Sequence, residues 1–68
     1  MTNAREAYHI ENAQYFTAVR GAKPETRIRL EFTHQHQAEA WAIKQFKGDG
    51  RTMLYAVSDQ GAAHVKNV

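Results

Sequence analysis

Cysteine is absent from this chain of 68 residues, and proline occurs once. Without cysteine the chain can form neither a disulfide framework nor a thiolate site, and nothing in it implies an oxidising compartment. No apolar run approaches the roughly 18 residues that a membrane-spanning helix needs. Residues 1–12 also lack the hydrophobic core of a signal peptide. We therefore expect a protein of the cytoplasm that does not bind a membrane.

The net charge of the chain is also small. Nine Lys and Arg against seven Asp and Glu give a net charge of +2, with a pI near 9.2. A balance this mild fits an acidic partner or nucleic acid, but it is equally typical of a small protein with a solvated basic surface. A block of Lys and Arg, which would favour nucleic acid strongly, does not occur.

The supply of large apolar side chains is limited as well. Hydrophobic residues make up 43% of the chain, but alanine supplies a large part of them. The bulky ones can cover one face of a small sheet and one face of a helix, and cannot also line an enzyme interior. A single domain of this size is close to the minimum for one core, so a dimer or partner is expected to add stability. We find no internal repeat and no linker.

Residues 33–47 are the most strongly predicted helix. Thr33 can accept a hydrogen bond from the first turn, and Gly48 fits the left-handed position that follows a helix end. Apolar residues recur at helical spacing along this segment. The stripe and its two flanks consist of Ala38, Ala42, Phe46, Trp41 and Ile43. A helix with one apolar face needs a sheet on which to pack.

Residues 26–33 show the clearest strand pattern, because apolar and charged side chains alternate strictly. One face carries Ile28, Leu30 and Phe32, and the other carries Arg27, Arg29 and Glu31. We expect the helix, through Trp41, Ala42 and Phe46, to cover the apolar face. The charged face should stay open.

Three further segments predict strands. Residues 13–20 are rich in aromatic and β-branched residues, and a turn at residues 21–25 joins them to the clear strand. Residues 51–58 have apolar side chains on both faces, which is typical of a central strand. After a turn at residues 59–61, residues 62–68 predict a weak last strand.

The first twelve residues leave two alternatives open. Asn3 followed by Glu6 is typical of a capping box at the start of a short helix, whereas residues 8–10 alternate like a strand. We expect a loose terminus over residues 1–7 and a first strand between residues 8 and 13. The whole pattern predicts one α+β domain over residues 1–68. Its antiparallel sheet has three to four strands with one helix packed on one face, in the order ββαβ or ββαββ.

Side chains that could carry chemistry are few. His34 and His36 have a spacing seen in metal sites, but zinc needs three or four ligands, and side chains two apart on a helix diverge by about 200°. Ser58 is the only serine and lacks a Gly-x-Ser-x-Gly setting. The Gly-Asp-Gly at residues 48–50 is too short for a phosphate-binding loop. We predict a non-enzyme with no catalytic residue, metal site or cofactor.

Basic and aromatic side chains on the open sheet face are the candidate binding site. Arg and Tyr on an exposed sheet suit an acidic protein surface, phosphates or stacked bases. They can equally serve only to solubilise that face. The aromatic-rich pattern of RNA-binding sheets is absent. The predicted partner-binding residues are Arg20, Lys23, Arg27, Arg29, Arg51, Tyr15 and Tyr55.

Three segments resemble small phage-encoded anti-CRISPR proteins that block type I-F surveillance complexes. They are Ala-Tyr-His-Ile at residues 7–10, the strand of residues 26–32 that leads into Gln-Ala-Glu-Ala at residues 37–40, and residues 52–57. Phage inhibitors of host RNA polymerase share a similar strand–strand–helix–strand plan. The resemblance implies a phage or mobile-element protein that binds and inhibits a host nucleoprotein complex in the host cytoplasm. Two other functions stay open: a nucleic-acid-binding module, and an assembly subunit that self-associates as a homodimer.

Overall fold

The structure is a computed structural model that describes residues 4–68. Its elements, in chain order, are α1 (Ala4–Glu11), β1 (Tyr15–Arg20), a single 3₁₀ turn (Pro24–Thr26), β2 (Ile28–Phe32), α2 (Gln35–Phe46), β3 (Met53–Ser58) and β4 (Gly61–Asn67). The strands form one sheet in the order β2-β1-β3-β4, and every neighbouring pair is antiparallel. The predicted α+β fold with a four-stranded antiparallel sheet is confirmed.

The first helix is where the sequence-based prediction is wrong. Residues 8–11, where a strand was expected to begin, belong to α1, and residues 4–7, expected to be loose, are helical as well. The rejected alternative, a short helix, is therefore correct. Its proposed cap, Asn3, lies outside the described residues. The sheet thus carries two helices rather than one.

Contacts with the β3–β4 turn hold α1 in place. The ring of His9 is buried, and its Nδ1 lies 2.7 Å from the Oγ of Ser58. The Tyr8 hydroxyl donates to Asp59 Oδ1 over 3.1 Å. Both partners lie far along the chain, so local sequence alone gives little indication of this helix.

The element order repeats, α–β–β followed by α–β–β. The matching strands β1 and β3 pair at the centre of the sheet, while β2 and β4 form its edges. Residues 6–10 (Glu-Ala-Tyr-His-Ile) match residues 39–43 (Glu-Ala-Trp-Ala-Ile), and Ala-Val recurs at residues 18–19 and 56–57. Since α1 has 8 residues and α2 has 12, the two halves share an order of elements but no sequence repeat of fixed period.

The core lies between the two helices and one face of the sheet. Its centre is Ala18, Ala38 and Leu54, and four partly buried side chains pack around it: Phe32, Trp41, Val65 and Val68. Alanines on facing strand and helix allow the two layers to approach closely. Ala38 and Ala42 are fully buried, which confirms the centre of the predicted inner face of α2, whereas its predicted flank Ile43 is 58% exposed.

Two details of α2 differ from the prediction. The N-cap residue is His34 and not the predicted Thr33. The backbone N–H of His34 donates to Gln37 Oε1 over 3.1 Å. The predicted contact of Trp41 with Phe32 is present, with 6.0 Å between ring centroids. Ile28 and Leu30, expected beneath the helix, each keep 40% exposure because α2 covers only the end of β2. Neither helix in residues 4–68 is long and apolar enough to cross a membrane.

Candidate functional site

The sheet face opposite the two helices is not covered by any element within residues 4–68. Alternation in β3 shows which side chains reach it, because Leu54 and Ala56 are buried towards the helices while Met53, Tyr55 and Val57 are half-buried on the other side. We call this surface the open face. By register, it consists of Tyr15, Thr17, Val19, Arg29, Glu31, Met53, Tyr55, Val57, Ala62, His64 and Asn67.

A depression of about 400 Å³ lies on the open face. The central strands supply an apolar floor, and β2 together with the residue before it supplies a basic rim. The lining residues are Thr17, Val19, Arg27, Arg29, Met53, Tyr55, Val57 and Ala62. An apolar floor with charged side chains at one margin is the usual composition of a protein-binding surface.

Thr17 occupies the centre of the open face. It pairs with Glu31 on one side and with Tyr55 on the other, and it is only 2% exposed. Its Oγ1 is buried, and among residues 4–68 it has no hydrogen-bond partner. An unpaired buried hydroxyl lowers stability by roughly 1–3 kcal/mol.

Neighbouring side chains on the open face hold Tyr55 in place. The Tyr55 hydroxyl lies 3.5 Å from Met53 Sδ, and its ring makes an edge contact with His64 at 5.6 Å between centroids. The Nε2 of His64 in turn lies 2.6 Å from Asn67 Oδ1. This chain of contacts fixes the side chains on the β4 side of the open face.

The predicted arginines differ in their availability. Arg29 is exposed on the open face beside Val19. Arg27 lines the same depression, but its Nε donates to the Gly21 carbonyl over 3.3 Å, so part of its guanidinium is used within its own hairpin. Arg29 is therefore the predicted cation that the structure leaves best placed for a partner.

Arg20 lies away from the open face. It shares the helix side of β1 with Ala18, and its guanidinium makes two bonds to the Asp49 carboxylate, at 2.7 and 2.6 Å. The same guanidinium lies 3.9 Å above the Phe46 ring. This hydrogen bonding lowers the pKa of Asp49 to about 2 and raises the pKa of Arg20. Arg20 therefore has a structural role.

The remaining predicted residues lie in two places. Tyr15 is on the open face, half-buried next to Val57. Lys23 is exposed in the β1–β2 hairpin, and Arg51 is exposed before β3, where it lines a separate depression at the end of the sheet. The structure thus brings Tyr55, Arg27 and Arg29 to one depression, while Tyr15 lies on the same face at the other end of β1. The sequence-based prediction missed the apolar floor and Thr17, although the alternation in β1 and β3 placed them on one face.

The closest hydroxyl–imidazole pair is His9 with Ser58. The 2.7 Å distance resembles that of a nucleophile and its base. However, both side chains are buried, and Ser58 Oγ also accepts the Gln60 N–H over 3.1 Å and lies 3.3 Å from the Gly61 carbonyl. The pair therefore anchors α1 to the β3–β4 turn.

The rings of His34 and His36 stack, with 5.5 Å between centroids and 9° between planes. The expectation that they diverge is wrong, because His34 precedes the helix and has extended backbone angles. No group of three or more His, Cys, Asp or Glu able to hold a metal ion occurs in residues 4–68. The resemblance to anti-CRISPR proteins gains no relative to support it: no protein-family model, curated protein or solved structure matches this chain.

Proposed function

We propose that this chain is a non-enzymatic binding protein that docks an acidic segment of a partner protein on the open face of its sheet. The observation that carries the proposal is the depression of about 400 Å³ on the uncovered face of the sheet, which has an apolar floor and the exposed Arg29 at its rim.

The chemistry of the surface indicates the kind of partner. An apolar or aromatic side chain fits the floor formed by Val19, Met53 and Val57. A carboxylate next to it would meet Arg29 at the rim, where a bidentate pair with a guanidinium is favourable. Tyr and Arg are the residues that most often dominate binding energy at protein interfaces.

A nucleic-acid partner fits the surface less well. Phosphate recognition needs several adjacent cations. On β2, Glu31 shares the open face with Arg29, Arg20 is neutralised by Asp49 on the other side of the sheet, and Lys66 is paired with Glu39 over 2.7 Å. Two of the predicted cations, Arg27 and Arg29, remain at the depression, which is too few for a phosphate-binding surface.

The resemblance adds a biological role to this proposal. A phage or mobile-element protein with such a surface would occupy a functional site on a host nucleoprotein complex and thereby inhibit it. Under this proposal the partner is a protein component of that complex, and the encounter occurs in the host cytoplasm.

Site-specific photo-cross-linking in bacterial lysate tests the proposal. A benzophenone amino acid replaces Tyr55 on the open face, and in a matched control it replaces Ala40, which is exposed on the outer side of α2. We expect a discrete protein adduct at position 55 only. It should survive nuclease treatment, should map to a peptide that contains Asp or Glu next to an apolar residue, and should weaken when Arg29→Glu is added.

Three outcomes would contradict it. Loss of the adduct after nuclease would indicate nucleic acid. Equal adducts from positions 55 and 40 would indicate non-specific contact or a helix surface. An adduct that Arg29→Glu leaves unchanged would remove the acidic partner from the proposal.

A further inference from the structure

The outer edge of β2 is open to pairing. β2 is the first strand of the sheet and pairs on its inner side with β1, in unbroken register from Phe16↔Phe32 to Arg20↔Ile28. The backbone N–H and C=O groups along such an edge are a template for another strand. Because the pairing with β1 is regular, this edge is straight enough to accept one.

The opposite edge of the sheet is protected in two ways. The register between β3 and β4 shifts between Leu54 and Tyr55, which leaves Val65 as a bulged residue in β4. β4 also carries Lys66. Bulges and lysines are the devices by which natural sheets block edge pairing. The two edges are therefore not equivalent, and β2 is the one that is open.

The side chains of β2 complement a second copy of themselves. When two β2 strands pair antiparallel around Leu30, Arg29 lies opposite Glu31 of the second copy, and Glu31 lies opposite its Arg29. On the other face, Leu30 meets Leu30 of the second copy, and Ile28 meets its Phe32. Opposite charges and apolar pairs placed directly across a strand pair are both stabilising.

The exposed apolar side chains lie where this pairing would bury them. Ile28 and Leu30 are each 40% exposed on the helix side of β2, beyond the reach of Trp41, which packs on Phe32. Aliphatic side chains next to an unpaired edge are typical of a strand that pairs with another chain.

We infer that this chain forms a homodimer in which the two β2 strands pair antiparallel around Leu30 and join the two sheets into one of eight strands. All four helices lie on one side of this sheet, and the two open faces are continuous on the other. The inference rests on β2, and it shares Arg29 with the proposed binding surface. Glu31→Arg weakens the dimer but keeps Arg29, so its effect on the cross-link from position 55 distinguishes failure of the dimer from failure of the proposed function.

Charge exchange across the pair provides a specific test. In a dimer of the Arg29→Glu variant, negative charges face each other at both places where Arg29 meets Glu31 of the second copy. In a dimer of the Glu31→Arg variant, positive charges face each other at both. Each single variant of the full chain should dimerise about tenfold or more weakly than the wild type in sedimentation equilibrium. An equimolar mixture of the two variants restores both opposite-charge pairs and should recover the wild-type dimerisation. Lys44→Glu, on the exposed side of α2, is the control and should change nothing.

A second measurement needs no substitution. Amide hydrogen exchange in β2 of the wild type should slow as protein concentration rises, while exchange in β4 should not change. The inference is overturned if the wild type stays monomeric up to about 1 mM, if β2 exchange is independent of concentration, or if the mixed variants associate no better than each alone.

Discussion

Arg20 and Asp49 form a two-bond ion pair that joins the end of β1 to the turn between α2 and β3. The guanidinium is held from its other side by the Phe46 ring, 3.9 Å from its central carbon. A single arginine thus connects strand, turn and helix. Because this ion pair holds Arg20 on the helix side of the sheet, Arg20 does not reach the open face, although the sequence predicted it as a partner-binding residue.

The pair predicts an acid-dependent contribution to stability. The hydrogen bond from Arg20 lowers the pKa of Asp49 to about 2, from an unfolded value of about 4. A group whose folded pKa is lowered stabilises the fold above the unfolded pKa, and that stabilisation is lost as pH falls from about 4 towards about 2. The difference in urea midpoint between the wild type and Asp49→Asn should therefore shrink over that interval.

Salt provides the control for this prediction. Both side chains are partly exposed, so 1 M salt, with a Debye length of about 3 Å, should reduce the difference at neutral pH. A difference that does not depend on pH or on salt would mean that the charge of Asp49 does not stabilise the fold and that the ion pair with Arg20 contributes nothing measurable.

Trp41 should be the most costly aromatic side chain to remove. Its ring packs between Phe32 and Phe46, with centroid distances of 6.0 and 5.5 Å. Because the ring is only partly buried, Trp41→Ala should cost about 3 kcal/mol in the free energy of unfolding, at the lower end of the usual range. The matched control, Ile43→Ala, removes a side chain that is 58% exposed and should cost less than about 0.5 kcal/mol. Equal losses in urea unfolding would show that the inner face of α2 is assigned wrongly.

The His9–Ser58 pair should couple α1 to the β3–β4 turn. Ser58→Ala leaves the buried His9 Nδ1 without its partner at 2.7 Å, and we expect a loss of about 1–3 kcal/mol. His9→Leu leaves the serine hydroxyl with fewer partners in the same way. In a double-mutant cycle, the double variant should lose less than the sum of the single losses. Additive losses would mean that the two side chains act separately.

The sequence correctly predicted the elements in which apolar residues recur throughout at the strand or helix period. The strict alternation at residues 28–32 and the alanine stripe through Ala38 and Ala42 are local signals, and both gave the correct element and face. α1 was missed because its anchors, Ser58 and Asp59, belong to a turn at the other end of the chain. Contacts between distant residues outweigh weak local propensity in so short a helix.

The sequence predicted the candidate site only in part. Alternation placed Arg29 on the open face correctly. Arg20 was assigned by its closeness to the hairpin, whereas the same alternation puts it on the helix side with Ala18. Whether the Thr17 hydroxyl finds a partner depends on which side chains of β2 and β3 close over it, and a single sequence does not contain that information.

Thr17 and Thr52 provide the last prediction, since they are buried to nearly the same degree, at 2% and 0% exposure. Their hydroxyls differ. Thr52 Oγ1 accepts from Arg20 Nη1 over 3.4 Å, whereas Thr17 Oγ1 has no partner within residues 4–68. Replacing threonine by valine keeps the shape and removes the hydroxyl. Thr17→Val should therefore raise the free energy of unfolding by about 1 kcal/mol, and Thr52→Val should lower it by a similar amount.

Binding at the open face should change with neither substitution. The Thr17 hydroxyl lies beneath the surface side chains, so Thr17→Val should leave the cross-link from position 55 as strong as in the wild type. Thr52→Val should leave it unchanged wherever the domain is folded, because Thr52 lies on the helix side of the sheet. A Thr17→Val variant that is less stable than the wild type would show that the hydroxyl is already satisfied in the free protein. A cross-link that weakens in Thr17→Val alone would show that the partner reaches this hydroxyl.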